Sequence, residues 1–251
     1  MRTAALQKCS VYSGSLILVN ARHPYRGVPD PALLMPVNGE SGVLMDRRAA
    51  VLLERLMAEI RGWNGIVPVS GWRPREEQQA IWDDTLRESG EAFTKKYVAF
   101  PGCSEHETGL AIDLGLRQEQ IDFIRPDFPD VGVCRIFRRR AAAYGFVLRY
   151  PADKEPVTGI ACEPLHFRYV GVPHAEIMDK LGLTLEEYLD YLKEYPYGMR
   201  PLVHEKNNLV FELSFLSDER ADDLKTENLH GMVSGDNSEG FIVTEWKDRD
   251  V

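Results

Sequence analysis

The sequence predicts a chain that mixes helices with short strands. Three observations lead there: apolar residues at helical spacing from Ala49 to Ile60, a two-residue alternation from Leu110 to Leu116, and a change of composition after Tyr195 into strand-like segments around a polar, turn-rich middle. With 251 residues, 44% hydrophobic and 27% charged, the chain can bury a full core and carry an appendage. The 30 Lys and Arg against 39 Asp and Glu leave a net charge of −9. That balance disfavours nucleic acid and anionic lipid as partners, because neutralising phosphates needs a basic face.

Taken in order, Ser15 to Val19 reads as a short buried strand, followed by a Pro- and Gly-containing loop through Asn38 and Gly39. Asp46 can cap the first helix, whose Ala49, Leu52, Leu53, Leu56 and Ile60 share a face until Gly62 stops the pattern. Ile66 to Ser70 is a brief strand, Gly71 to Arg73 a turn, and Pro74 suits the first position of a second helix reaching Ser89. Leu110, Ile112, Leu114 and Leu116 share one face of the next strand, while Ala111, Asp113 and Gly115 share the other. A basic helix from Cys134 to Tyr144 leads into strands at Phe146 to Tyr150 and His166 to Val170. The last helix has a capping box in Thr184 and Glu187.

Pro196, Gly198 and Pro201 mark a boundary, which divides the chain into a main domain of residues 1–195 and a small β-rich appendage of residues 196–251 with strands at Leu209 to Leu216 and Gly240 to Trp246. Gln7, Lys8, Ser10, Ser13 and Ser15 interrupt any apolar run near the N-terminus, so no signal peptide or membrane anchor is expected and the chain reads as cytoplasmic. Cys9, Cys103, Cys134 and Cys162 show neither a CxxC nor a tight cluster, and free thiols are expected.

Three segments carry chemistry. In Ser104-Glu105-His106-Glu107-Thr108-Gly109-Leu110-Ala111-Ile112-Asp113, His106 lies just ahead of the strand and Asp113 projects between two small residues, a normal start to a zinc site. In Glu163-Pro164-Leu165-His166-Phe167-Arg168-Tyr169, Pro164 argues for a loop entering a strand, and His166 would be the third ligand. Zinc hydrolases leave the fourth position to water, which still needs a base, and Glu163 can take that role. In Ser70-Gly71-Trp72-Arg73-Pro74, an Arg in a strand-to-helix turn can meet either a developing oxyanion or a substrate carboxylate. Surface arginines are common, and Arg73 alone would read as a solvated turn residue. A lone His is more often structural than a ligand, and His23, His174, His204 and His230 are read so. The acidic run Asp218, Glu219, Asp222 and Asp223 reads as a solvated loop.

Together the segments resemble the zinc D-alanyl-D-alanine peptidases of the VanY and VanXY type. The match lies in SGWR with Gln78, in SEHETGLAIDLG and in EPLHFRYVG, and covers roughly residues 60 to 195. Trp72 stands where the family usually has Tyr, and Leu165 where it has Trp. The resemblance implies zinc held by His106, Asp113 and His166, Glu163 as base, Arg73 stabilising the tetrahedral intermediate, and a mixed α+β fold in which helices flank a small antiparallel sheet. Gln78 and Ser104, inside the matched motifs, are expected at the substrate.

The activity so implied is hydrolysis of terminal D-alanine from peptidoglycan precursors, as D,D-carboxypeptidase, D-Ala-D-Ala dipeptidase or both, with vancomycin-type resistance as one setting. The partner is then a small peptide ending in D-Ala-D-Ala. Two other readings are an endopeptidase cutting an L-alanyl-D-glutamate bond, as some phage lysins of similar zinc architecture do, and a zinc-bearing binding module without turnover. Glu163 and Arg73 argue against the last, because a structural metal needs neither.

Overall fold

The computed structural model describes residues 10–27, 30–39, 41–224 and 229–249 and divides the chain into two units. One is Val19–Lys180, and the other joins Met1–Leu18 to Leu181–Val251. Cys9 lies outside the described residues.

In the Val19–Lys180 unit, β1 (Leu34–Pro36) and β2 (Leu44–Asp46) pair antiparallel within the stretch read from sequence as loop. Asp46 then caps α1 (Arg47–Ile60), its carboxylate accepting from the amides of Arg48 and Ala49. The apolar spacing buries Ala49, Ala50, Leu53, Leu56 and Met57. The helix ends at Ile60, two residues before Gly62, and the capping Arg61 takes the left-handed conformation with φ 51°.

Next come β3 (Ile66–Ser70), α2 (Arg75–Ser89), α3 (Glu91–Tyr97), β4 (Ala111–Leu116), α4 (Gly132–Ala141), β5 (Phe146–Tyr150), α5 (Glu155–Thr158), β6 (Glu163–Tyr169) and α6 (His174–Leu181). Pro74 is the cap of α2 rather than its first residue. The four strands form one antiparallel sheet in the order β3-β4-β6-β5. Pro164, read as the sign of a loop, sits inside β6, so Glu163 is held by strand pairing with Tyr150. Pro164 is next to the strand start, where a missing N–H costs the ladder little.

Pleating sorts the two faces of this sheet. On one, Ile112 and Leu148 both pair with Phe167, whose ring meets Phe137 at 4.8 Å and Phe128 at 5.5 Å, edge to face, under α4. On the other, Asp113 pairs with His166 and with Ser70. The aromatic core thus fixes the plane from which the polar residues project.

The second unit holds α7 (Leu185–Leu192), opened by the expected Thr184–Glu187 capping box, and β7 (Leu202–Lys206), β8 (Leu209–Ser217), β9 (Gly231–Gly235) and β10 (Gly240–Asp248). These strands form a second antiparallel sheet, ordered β7-β8-β10-β9, over a core of Leu216, Ala221, Leu224, Phe241 and Val243. The acidic run at Asp218 is a 3-10 turn that buries Ala221.

The sequence boundary at Tyr195 falls inside this unit. Tyr195 and Tyr197 are joined by backbone hydrogen bonds to Phe215 of β8, which carries α7 along with the sheet. The segment Ser15 to Val19 is not a strand, although Leu16 to Val19 are buried as expected. Its backbone is satisfied elsewhere: Leu16 N donates to Ser234 Oγ, Leu18 N to Asp236 O, and Leu18 O accepts from Asn237 Nδ2.

Candidate active site

His106 stands in a 3-10 turn, Glu105–Thr108, that Gly109 ends at φ 75°. Two side chains anchor that turn. Glu107 accepts from the amide of Gly102 at 2.6 Å and from Arg75 Nε at 3.0 Å. His106 Nδ1 lies 2.7 Å from Gly71 O, and since a carbonyl only accepts, Nδ1 carries the proton and Nε2 keeps its lone pair. Gly71 is required there, because a Cβ would meet Leu44 O at 2.3 Å.

Asp113 projects from β4 and His166 from β6. Nε2 of His106 is 3.1 Å from Asp113 Oδ2, and Nδ1 of His166 is 2.8 Å from Asp113 Oδ1. The three donor atoms lie within 4.8 Å of one another and all three residues are buried. Metal bonds of about 2.0–2.1 Å in tetrahedral geometry set donors about 3.3 Å apart, so the spacing and chemistry of this set fit zinc. Among the described residues it is the one group of His, Cys, Asp and Glu that could hold a metal ion. Cys103 and Cys162, which flank the ligand segments in sequence, are free thiols outside it, and Cys134 is a buried free thiol.

The electrostatics call for a cation. Burial opposes ionisation of Asp113, but His106 and His166 outweigh it and hold the carboxyl well below the usual range. Burial pushes the His106 imidazole down. For His166 burial acts downward too, yet Asp113 overrides it and the ring is pushed up to about 9. The ring lies between two carboxylates, with Nδ1 2.8 Å from Asp113 and Nε2 3.5 Å from Glu105, and a metal ion would displace any proton on Nδ1.

Glu163 Oε2 is 4.0 Å from His166 Nδ1. Burial pushes its carboxyl up to about 8; His166 opposes the shift and Asp113 adds to it. A cation held by the donor set would oppose that shift and leave Glu163 ionised, a carboxylate able to take a proton near neutral pH.

Arg73 is buried and held from two sides: Nη1 donates to Gln78 Oε1 at 3.0 Å and Nη2 to Ser70 Oγ at 2.5 Å, while Nε has no partner among the described residues. Gln78 is fixed in turn by its Nε2, which donates to Ala99 O at 2.7 Å. Arg73, Gln78 and Ser104 line the same cleft as His106, Asp113, Glu163 and His166. All seven residues singled out from the sequence thus meet in one place. Gln78 reaches the cleft but spends its carbonyl oxygen on Arg73, so it orients the guanidinium.

Sequence reasoning missed three residues beneath the site. Glu105, Arg149 and Arg168 are 2%, 1% and 0% exposed, and Glu105 Oε1 accepts from Arg149 Nε and Arg168 Nη1, each at 2.8 Å. Burial pushes the Glu105 carboxyl up, but the two guanidiniums outweigh it and hold it well below the usual range. The available signal was charge within apolar strands, in FVLRY and HFRYV. Tyr150, whose ring lies 5.0 Å from that of His166, adds an unforeseen wall.

A family model described as VanY: D-alanyl-D-alanine carboxypeptidase matches residues 42–172. The bifunctional D-Ala-D-Ala dipeptidase and D-Ala-D-Ala carboxypeptidase VanXYC of Enterococcus gallinarum is 43% identical over 182 residues, 72% of this chain and 96% of that protein. A D-alanyl-D-alanine carboxypeptidase of Enterococcus faecium is 30% identical across 93% of this chain and 76% of its own length. Among solved structures, the vancomycin resistance D,D-dipeptidase VanXYg, in complex with a D-Ala-D-Ala phosphinate analog, has a TM-score of 0.88 at 44% identity, covering 94% of this chain and 95% of that one. A D,D-pentapeptidase VanY from a VanB-type resistance cassette, in complex with Zn(II), has a TM-score of 0.58 at 32% identity, covering 70% and 98%.

Proposed function

The chain belongs to the VanY family of D-alanyl-D-alanine carboxypeptidases, and from that premise we propose that it is a zinc-dependent D,D-peptidase releasing D-alanine from both D-Ala-D-Ala and longer precursors that end in it. The observation that carries the reading is one cleft in which three donors converge, a basic carboxylate stands 4.0 Å from one of them, and an anchored guanidinium shares the wall.

His106 Nε2, Asp113 and His166 Nδ1 would hold the zinc. Zinc bound there supplies Lewis-acid polarisation and acidifies water. Glu163 accepts the proton of the attacking water at a carboxylate oxygen and returns it to the leaving amine. Arg73, pre-oriented by Gln78 and Ser70, donates to the oxygen that gains charge as the scissile carbonyl becomes tetrahedral. Ser104, also on the wall, is assigned to substrate contact.

The proposed setting is depletion of precursors ending in D-Ala-D-Ala, the resistance role carried in the name of the VanXYg relative. We place the activity in the cytoplasm, a compartment compatible with the free thiols of Cys103, Cys134 and Cys162. No helix among the described residues is long and apolar enough to cross a membrane.

Zinc-loaded and chelator-treated protein, incubated separately with D-Ala-D-Ala and with a muramyl pentapeptide, tests the proposal. Release of D-alanine from each by the zinc-loaded form alone is expected. No release from either substrate by folded, zinc-loaded protein would overturn it.

A further inference from the structure

We infer that Glu105 is a positioning residue that sets the tautomer of His166 and so turns its Nδ1 into a metal donor. The inference rests on the metal reading above. His166 presents Nδ1, not Nε2, to Asp113. A ring can donate a lone pair from Nδ1 only while its remaining proton sits on Nε2, so something must favour that tautomer over the other.

The structure supplies one candidate. His166 Nε2 and Glu105 Oε2 are both fully buried, neither has a hydrogen-bond partner within normal length among the described residues, and they face each other at 3.5 Å. Two buried polar atoms left without partners are costly, and each is the natural remedy for the other. The far oxygen of Glu105 is already engaged by Arg149 and Arg168, each at 2.8 Å. Two guanidiniums keep the carboxylate ionised, and an ionised carboxylate can only accept. Glu105 therefore selects a proton on Nε2.

The register makes room for this arrangement. Arg168 projects from β6 two residues beyond His166 and pairs with Ala111, a residue too small to block the guanidinium. The two histidines are thus oriented by different groups, His106 by the neutral carbonyl of Gly71 and His166 by a carboxylate. A carboxylate behind a metal-bound imidazole raises its basicity as well as fixing its orientation, and losing such a partner typically costs about 10- to 100-fold in metal affinity.

Long-range proton–nitrogen correlation spectra of 15N-labelled, zinc-loaded protein read the tautomer directly, with the His166 resonances identified by their loss in His166→Gln. The expected ring is protonated at Nε2 and unprotonated at Nδ1. A ring protonated at Nδ1 overturns the inference, whereas a wild-type protein that takes up no zinc overturns the metal reading and this inference with it.

Glu105→Gln gives the second measurement. Its carbonyl oxygen would stay with the two arginines and its NH2 would face Nε2, favouring the wrong tautomer. Zinc affinity from chelator competition should fall about 10- to 100-fold in folded variant. Unchanged affinity overturns the inference, and if the variant does not fold, the wild-type spectrum decides.

Discussion

Asp113 and His166 stand directly opposite one another across β4 and β6, with Asp113 Oδ1 2.8 Å from His166 Nδ1. The sheet register therefore builds two of the three donors, and only His106 has to be brought in by a turn. His106→Ala should lose the zinc that the wild type binds at one ion per chain, while the sheet keeps its circular dichroism. Elemental analysis of both proteins checks this, and equal zinc in each would reject the ligand set.

Removal of the metal exposes a pH dependence. The Glu163 carboxyl is pushed from its ordinary 4.5 up to about 8 by burial, so folded metal-free protein holds a proton that the unfolded chain releases. Between those values the folded state binds more protons, and the contribution of this group to stability falls as pH rises through the window. Thermal melts of chelator-treated protein from about pH 5 to about pH 9 should show wild type losing more than Glu163→Gln, which has no proton to release. Parallel curves for the two proteins would contradict the assignment.

Arg73 is anchored by Gln78 and Ser70 before any substrate arrives. If it meets charge that develops in the transition state, Arg73→Ala should lower kcat far more than it raises KM, with zinc content unchanged. A rise in KM alone would move Arg73 to binding of the substrate carboxylate.

Phe137 packs edge to face on Phe167, the neighbour of a donor in β6, and is fully buried. Phe137→Ala should cost about 3–5 kcal/mol of stability. Denaturant unfolding measures it, and a loss below about 1 kcal/mol would mean that the aromatic cluster does not support the sheet.

Much of the site was legible because its residues come in short runs whose spacing matches local structure. The alternation of Leu110 to Leu116 places Asp113 on the side of Ala111 and Gly115, and strand pairing converts that side into a wall of the cleft. The Asp46 cap and the Thr184–Glu187 box are local too, and both occur where the sequence puts them. What stayed hidden depends on long-range partners. Ser15 to Val19 looks like a strand because it is apolar, but its hydrogen bonds go to residues 234–237 and leave it irregular. Glu105 carries no local sign of its two arginines, which lie 44 and 63 positions away. Pro164 pointed to a loop, whereas pairing with β5 carries the strand back to Glu163.

The most direct test of the whole account is the turnover of Glu163→Gln, measured as D-alanine released from D-Ala-D-Ala by protein whose zinc content has been determined. The account predicts a full complement of zinc with release slowed about 10²- to 10⁴-fold, because the amide cannot take the proton of the attacking water. Near wild-type release from a zinc-replete variant would contradict it.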